Sequence, residues 1–589
     1  MIVIIFFDCE VLKYDWLVVF MDMEKQKETV IVNDVDQLKQ FYEENKERIW
    51  VGYNARHYDQ YIIKGLLLDM NPYEINNKII VENKAGWQIS DLFKRVPLYV
   101  YDAMVNRMKG LKELEGHMGN SIKESSVPFT LQRKCSLPEI DELVRYCRHD
   151  VEQTVEVFMN QLEEYTSHMG LLKAFNMPLS YVMKTKAQLS AMILEARKVS
   201  RNDAFDIILP DTLQLKKYKF IADWYIDKSN HDYDKFQTVD VYGVEHVFGW
   251  GGVHGAIPKY KGEGVYVMSD VASLYPAIMI EYGTLSRNVK TPEKYREIRD
   301  ERLRLKAIKD PTQQPLKIVL NGTYGASKDK NNSLFDERQA NNTCITGMTL
   351  LLMLLEMLEV NMGDNCQLIQ SNTDGILVKL KDMSFYDQYI SICDEWCKLV
   401  RLDLEHDLYE KVIQKDVNNY VIVDKKGKYK SKGAYVKKLS VMDYDLPIVN
   451  KAVVNYLIHG TPARETIEAE DNLIEFQKIV KISSKFDGGV YGGEVIKHKF
   501  IDGTATTSLN GGVPVPEKIN RVFASRSRKD GSLYKMKNGK PHKIANTPEK
   551  CFIYNDSVHG VKVDRRLNKK WYIDLANKRI SDFLGYEVK

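Results

Sequence analysis

The chain has 589 residues, 44% of them hydrophobic, and its 84 basic and 81 acidic side chains leave a formal net charge of +3. This length exceeds what one hydrophobic core supports and predicts several domains. A near-neutral charge does not exclude a nucleic-acid enzyme, because basic patches and acidic metal sites cancel in the sum. The eight cysteines form no pair of CxxC units, which argues against a zinc site and fits a reducing cytoplasm.

The apolar run at the N terminus, MIVIIFFDCEVL, is short and lacks a basic leader, so it predicts a buried strand rather than a signal peptide. Strand-like and helical stretches alternate over residues 1–165, which predicts an α/β domain. We expect a helical connection over 166–250, which ends in the glycine-rich junction FGWGGVHGA. The later run TLLLMLLEML is too short to span a bilayer and predicts a core helix.

Three acidic motifs lie in the first domain. Asp8 and Glu10 follow the apolar run, and on a strand their side chains point to one face, where both could hold the same metal. Asp59 lies in VGYNARHYDQYII, which predicts a turn between a strand and a helix. Tyr146 and Asp150, in LVRYCRHDVEQT, share one helix face. Taken singly, the motifs also fit a chance Asp-x-Glu pair, a capped turn and a charged surface helix.

Together and in this order, the three motifs resemble those of the DEDD exonucleases in their tyrosine variant. The resemblance implies an RNase H-like domain in which two divalent ions are held by Asp8, Glu10, Asp59 and Asp150. It implies that Tyr146 orients the attacking water and that Lys123, in NSIKES, is an auxiliary lysine. Hydrolysis of a phosphodiester with two ions needs hard oxygen ligands, which suit Mg²⁺ or Mn²⁺.

A second set of motifs follows the glycine-rich junction. The segment SDVASLYP predicts a strand that ends at Asp270 and then turns into a helix. In KIVLNGTYG, Lys317, Asn321 and Tyr324 fall on one helix face. The segment QSNTDGIL places Asp374 in a tight turn between two strands. A strand-end aspartate, an amphipathic helix and a hairpin turn would each explain one motif, but they leave the ordered triple unexplained.

The ordered triple resembles motifs A, B and C of family B DNA polymerases, in the compact form found in small double-stranded DNA phages. The resemblance implies a right-hand polymerase of palm, fingers and thumb behind the exonuclease, with primer–template DNA as partner. Asp270, Asp374 and the backbone carbonyl of Val271 would hold two Mg²⁺ or Mn²⁺ ions, which activate the primer end and hold the triphosphate.

The resemblance also assigns the nucleotide site. Arg302, Lys306 and Lys317 resemble the family's phosphate clamp, although Arg302 and Lys306 would also fit a solvated charged helix. Tyr275 resembles the steric gate that excludes a 2′-hydroxyl and so selects deoxynucleoside triphosphates (dNTPs). Asn321 and Tyr324 would line the nascent base pair.

The same resemblance divides the chain into domains. It implies an exonuclease domain (1–165), a helical connection (166–250), palm segments (251–290 and 341–445), fingers (291–340), and a thumb with the C-terminal region (446–589). It implies a single-stranded 3′ end in the exonuclease site, a monomer in the host cytoplasm and no membrane partner. A sliding clamp or other replisome proteins remain open as partners.

Some positions depart from the family pattern. Motif C usually reads Asp-Thr-Asp, but here Asn372 replaces the first aspartate and lowers the local charge. The segment 418–420, NNY, lacks a common lysine, and lysines at 428–438 could supply that charge to the primer–template backbone. The intervals between motifs A, B and C are too short for the two insertions of protein-primed phage polymerases, which argues against priming by a terminal protein.

The C-terminal region gives weaker signals. Residues 521–550 contain nine lysines or arginines, two acids, Phe523 and Tyr534, and the hairpin signal GSLYKMKNGK. They fit duplex contact in a thumb as well as a solvated basic loop. The tail RISDFLGYEVK would fit docking on a sliding clamp, but we favour a helix packed on the thumb.

Two other functions stay open. The first is a DNA-binding protein with exonuclease activity and a weakened polymerase site, which Asn372 alone supports. The second is a primase-polymerase, because the motifs do not specify how a chain is initiated.

Overall fold

The computed structural model describes residues 4–104, 109–499 and 505–588. The chain is a mixed α/β, multidomain protein with two compact units. Unit 1 comprises Met1–Lys184, Leu439–Ile448 and Ile467–Tyr572, and unit 2 comprises Thr185–Lys438, Val449–Thr466 and Ile573–Lys589. The multidomain, mixed character expected from the sequence is confirmed at this level.

The first part of unit 1 is a five-stranded mixed sheet with helices. Its strands are β1 (Ile4–Val11), β2 (Trp16–Asp22), β3 (Lys27–Val32), β4 (Ile49–Gly52) and β5 (Tyr99–Asp102). They lie in the order β3-β2-β1-β4-β5, with β1 antiparallel to β2 and parallel to β4. The helices are α1 (Val35–Asn45), α2 (Asp59–Leu67), α3 (Pro72–Ile80), α4 (Leu111–Met118), α5 (Leu137–Asn160) and α6 (Leu162–Ala174).

The apolar N-terminal run forms β1, the central strand of this sheet, as the sequence predicted. Phe7 is fully buried and packs edge-on against Trp50 of β4. Helix α5 lies against β1 and β2 through its buried positions Leu143, Cys147 and Val151. The polar face of α5 is thereby held beside the acidic residues of β1.

Unit 2 is built around a nine-stranded sheet. After α7 (Lys186–Ile193) and α8 (Lys219–Ile226), the strands are β6 (Phe236–Val241), β7 (Val244–Gly249), β8 (Gly252–Ala256), β9 (Tyr260–Val271), β10 (Cys366–Ser371), β11 (Gly375–Leu380), β12 (Leu404–Asp416), β13 (Asn419–Val423) and β14 (Tyr429–Lys432). Their order is β14-β13-β12-β9-β11-β10-β8-β7-β6. The helices are α9 (Leu274–Glu281), α10 (Pro292–Ala307), α11 (Gln313–Lys328), α12 (Glu337–Met362) and α13 (Tyr386–Val400).

Helix α12 forms the centre of the unit 2 core. It contains the apolar run near 349–358, and almost every residue from Ala340 to Leu355 is buried. Within the described residues it is the one helix long and apolar enough to cross a membrane, and 83% of its apolar window is buried inside the protein. The run therefore belongs to a core helix, as expected, although burial rather than insufficient length identifies it.

The helical connection expected over 166–250 is wrong for its last part, because β6 and β7 form a hairpin there. Tyr242 and Gly243 make the two-residue turn, both with positive φ (53° and 74°), which is the geometry that suits a tight hairpin. The strand β7 alternates buried and exposed side chains, the pattern of a strand with one face on the core.

The C-terminal part of the chain contains α14 (Pro447–His459), α15 (Ala463–Ala469) and α16 (Lys569–Leu584). Its strands are β15 (Lys478–Lys481), β16 (Gly488–Tyr491), β17 (Glu494–Lys499), β18 (Ala505–Asn510), β19 (Val513–Val515), β20 (Ile519–Ala524), β21 (Leu533–Lys537), β22 (Lys540–Lys543) and β23 (Cys551–Ile553). The single thumb region expected over 446–589 is divided between the units. Its residues up to Ile448 and the segment Ile467–Tyr572 belong to unit 1, and Val449–Thr466 and Ile573–Lys589 belong to unit 2.

A buried arginine joins these strands to the N-terminal part of unit 1. Arg521 of β20 is fully buried and donates to the carbonyl oxygens of Gly116 (3.0 Å) and Asn120 (2.8 Å) at the end of α4. Gln477 donates to the carbonyl oxygen of His117, 2.9 Å away. These contacts join segments hundreds of residues apart, which no local pattern reveals.

The basic hairpin expected in residues 521–550 forms between β21 and β22, with Asn538 and Gly539 in its turn. Phe523 and Tyr534 are buried, because β20 and β21 turn their aromatic side chains into the core of unit 1. The two aromatic side chains that the sequence offered for duplex contact therefore belong to the core. The tail continues from a packed helix, as the sequence favoured: Ile580 and Phe583 of α16 are fully buried.

Candidate active sites

The acidic residues of the first three motifs converge in unit 1. Asp8 and Glu10 share one face of β1, Asp59 is the first residue of α2, and Asp150 lies on α5. We call these four side chains the unit 1 carboxylate cluster. Glu10 and Asp59 are less than one-tenth exposed.

Burial and mutual repulsion act together on this cluster. Burial raises the pKa of Asp8 far above its usual value, and the charges of Asp59, Glu10 and Asp150 add to the rise. The pKa of Glu10 is raised in the same way. Burial also raises the pKa of Asp59, to about 7. Buried carboxylates that repel one another are the donor set that a divalent cation relieves, so the residues present fit Mg²⁺ or Mn²⁺.

One further side chain contacts Asp8. The thiol of Cys147 lies 3.5 Å from Oδ2 of Asp8, and one ligand atom each from Asp8, Glu10 and Cys147 lie within 4.8 Å of one another. Burial raises the pKa of the Cys147 thiol, whereas the four carboxylates are the hard oxygen donors that Mg²⁺ and Mn²⁺ prefer. The metal-binding chemistry of the cluster is therefore that of oxygen.

The lysine that contacts the cluster is Lys112 of α4, which the sequence did not identify. Its Nζ lies 2.7 Å from Oδ1 of Asp150 and 4.7 Å from the ring centre of Tyr146. It also reaches the fully buried Glu115 at 3.2 Å. Lys123, the expected auxiliary lysine, instead pairs with Asp556 at the surface, because its segment runs along the C-terminal strands of unit 1.

Tyr146 lies beside the cluster, one helical turn before Asp150 on α5. Its hydroxyl donates to Oε2 of Glu124 at 2.9 Å, and burial raises its pKa. The tyrosine is therefore a neutral donor that Glu124 holds in place.

The loop before α2 is held by Asp102, which accepts hydrogen bonds from the backbone N–H groups of Asn54 (2.9 Å) and Arg56 (3.0 Å).

In unit 2, Asp270 and Asp374 lie side by side; we call them the unit 2 aspartate pair. Asp270 is near the end of β9, opposite Gly375 on β11, and the backbone N–H of Val271 donates to the carbonyl oxygen of Asp374 at 2.7 Å. Burial, and then the charge of Asp374, raise the pKa of Asp270 to about 6. This pair also offers hard oxygen donors to a divalent cation.

Two glycines leave room around Asp270 and around the turn that contains Asp374. A Cβ on Gly375 would lie 2.1 Å from Oδ1 of Asp270, and a Cβ on Gly252 would lie 2.9 Å from the hydroxyl of Thr373. Asn372, in the same turn, lies 3.1 Å from Nδ1 of His254 through its Oδ1. Asn372 is thus held in a hydrogen bond on the side of β8.

The residues of the predicted phosphate clamp have different environments. Arg302 of α10 is 7% exposed, donates to the hydroxyl of Ser273 at 3.2 Å, and has a buried Nε without a partner among the described residues. Lys306 lies 3.6 Å from Glu405. Lys317 is exposed on α11, as is Asn321, and no contact in the described ranges joins either of them to the aspartate pair.

Tyr275 and Tyr324 meet in a ring stack. The ring centres are 3.8 Å apart and the planes differ by 18°. Ser273, with φ of 52°, turns the chain from β9 into α9 and brings Tyr275 to this position. The residues expected to neighbour the sugar and the base thus lie in direct contact with each other.

Lys430 and Asp407 form an ion pair near the aspartate pair. Lys430 of β14 lies 2.7 Å from Oδ2 of Asp407 on β12, and both charges act on the pKa of Asp270. Lys430 comes from the basic segment 428–438, which the sequence offered as a source of positive charge.

No protein-family model matches the chain, and no curated protein matches it. Among solved structures, the chain is similar to the family B DNA polymerase from the hyperthermophilic archaeon Pyrobaculum calidifontis, with 14% sequence identity and a TM-score of 0.43. The match covers 100% of this chain and 79% of that chain. A likeness at this level does not establish a family, so the function below is inferred from the residues of the two sites.

Proposed function

We propose that this protein is a template-directed, primer-extending DNA polymerase with a proofreading 3′→5′ exonuclease, in the compact form of phage enzymes. The observation that carries the proposal is the unit 2 aspartate pair, which a backbone hydrogen bond from Val271 to Asp374 holds together. Arg302 and the Tyr275–Tyr324 stack lie on the segment that follows Asp270 or contact it. The unit 1 carboxylate cluster supports the hydrolytic activity.

In the polymerase reaction, Asp270 and Asp374 would bind the divalent ions. Once bound, such ions lower the pKa of the primer hydroxyl and neutralise charge on the triphosphate. Arg302 would donate a hydrogen bond to a phosphate oxygen through its guanidinium Nε–H, which has no partner in the described part of the chain. Lys306 and Lys317 would bind the remaining charges. Tyr275 would lie beneath the sugar and exclude a 2′-hydroxyl.

In the exonuclease reaction, Asp8, Glu10, Asp59 and Asp150 would hold the ions. Tyr146, a neutral donor fixed by Glu124, would orient the attacking water. Lys112 would hold the carboxylate of Asp150 in position.

The assignment is tested by extension of a labelled primer with dNTPs and Mg²⁺, alongside degradation of a single strand. Asp270→Ala should lower extension by more than about a hundredfold and retain degradation, and Asp8→Ala should do the reverse, because each removes a metal ligand from one site. Wild-type protein that degrades single strands but does not extend a primer would overturn the polymerase assignment. That outcome would favour the second candidate, a DNA-binding exonuclease, for which Asn372 is the specific observation.

A further inference from the structure

The carboxylate of Glu405 links the predicted phosphate clamp to the sheet that carries the unit 2 aspartate pair. Glu405, on β12, lies directly opposite Asp270 on β9, and its Oε1 lies 3.6 Å from Nζ of Lys306 on α10. Both members of this ion pair are more than half exposed, so a ligand can reach them from solvent.

Glu405 also acts on the second cation of α10. Arg302 lies one helical turn before Lys306, and the charge of Glu405 favours its protonated form against the effect of burial. Nε of this guanidinium still has no hydrogen-bond partner among the described residues. The charge of Glu405 therefore acts on both predicted clamp residues of α10, Arg302 and Lys306.

We propose that Glu405 occupies the place of a triphosphate oxygen: it pairs with Lys306 when no nucleotide is bound and must release it when a nucleoside triphosphate binds. This inference rests on the proposed polymerase function. A triphosphate has several charges and offers more hydrogen-bond acceptors than one carboxylate, so it displaces Glu405 from Lys306. The competition nevertheless weakens nucleotide binding, because the ion pair must first be broken.

The expected size of the effect follows from the exposure of the pair. Exposed ion pairs contribute little, so their loss corresponds to a change of about two- to fivefold in an equilibrium constant. Salt should shrink the effect, since ions screen exposed charges over roughly 10 Å at 0.1 M.

The test is single-nucleotide insertion of dATP opposite a template thymine, for wild type and Glu405→Gln. The variant should lower the apparent KM for dATP by about two- to fivefold at low ionic strength, leave kcat within about twofold, and lose most of its advantage in high salt. Glu405→Asp, which keeps the charge but shortens its reach, should lie between the two. Glu410→Gln is the matched control: it is exposed on the same strand and forms no ion pair within the described ranges.

A double-mutant cycle locates the effect. Lys306→Gln should raise the KM for dATP, and Glu405→Gln added to it should lower KM by clearly less than it does in the wild type. A higher KM or a severalfold lower kcat in Glu405→Gln would overturn the proposal and indicate that Glu405 assists in holding a metal or the nucleotide. An unchanged KM, or an equal effect with and without Lys306, would also overturn it. Each of these outcomes requires active wild type, so each is distinct from failure of the proposed polymerase function.

Discussion

At the scale of single residues, the structure places Lys112 beside the unit 1 carboxylate cluster, where the sequence pattern had indicated Lys123. Lys112→Ala should lower the rate of single-strand degradation by about 10- to 100-fold, because Asp150 loses the ammonium group that holds it 2.7 Å away. Degradation of a labelled oligonucleotide measures the effect, and primer extension with deoxynucleotides should be unchanged.

Lys123→Ala is the matched control for that substitution. Lys123 pairs with Asp556, and both side chains are more than half exposed, so its loss should change degradation by less than about twofold. A large loss in Lys123→Ala together with normal activity in Lys112→Ala would restore the role that the sequence pattern gave to Lys123.

At the scale of secondary-structure elements, the pairing of β9 with β11 determines how close Asp270 lies to Asp374. Gly375→Ala would place a Cβ 2.1 Å from Oδ1 of Asp270 and 2.7 Å from the carbonyl oxygen of Ser269. The strands would have to separate, and a shift of about 1 Å at a reacting centre costs about a hundredfold in rate. We expect primer extension to fall by that order while single-strand degradation by the same protein persists. A variant that extends primers normally would show that the two strands tolerate the displacement.

The elements show what the sequence could predict. The strand β1, the turn that contains Asp374 and the core helix α12 depend on local patterns, and each lies where the sequence placed it. The β6–β7 hairpin was missed because its turn uses Tyr242 at positive φ, where glycine or asparagine is the usual signal. Lys112 was missed because the contact between α4 and α5 is a matter of tertiary packing.

Burial of charge also has a consequence for the whole molecule. In the metal-free protein the pKa of Asp59 rises from 3.8 to about 7, so between these values the native state binds more protons than the unfolded chain. Stability from this group is therefore lost as the pH rises through that window. His117 acts in the opposite direction, because burial lowers its pKa to about 4 and its neutral form is favoured in the native state. The pH dependence of stability in the wild-type protein alone would therefore combine the opposite contributions of Asp59 and His117.

A comparison with Asp59→Asn isolates the carboxylate, since His117 is common to both proteins. In EDTA, the variant should unfold at a higher temperature than the wild type, and the difference should grow from near zero at about pH 4 to about 5 °C at pH 8. Mg²⁺ should close the gap at pH 8, because a cation that binds the native cluster stabilises the wild type and binds the variant more weakly. Thermal unfolding at a fixed scan rate measures both proteins in all three conditions. A difference that stays constant with pH would mean that charge does not destabilise the unit 1 carboxylate cluster. Wild type that is indifferent to Mg²⁺ would mean that the cluster does not hold a divalent cation.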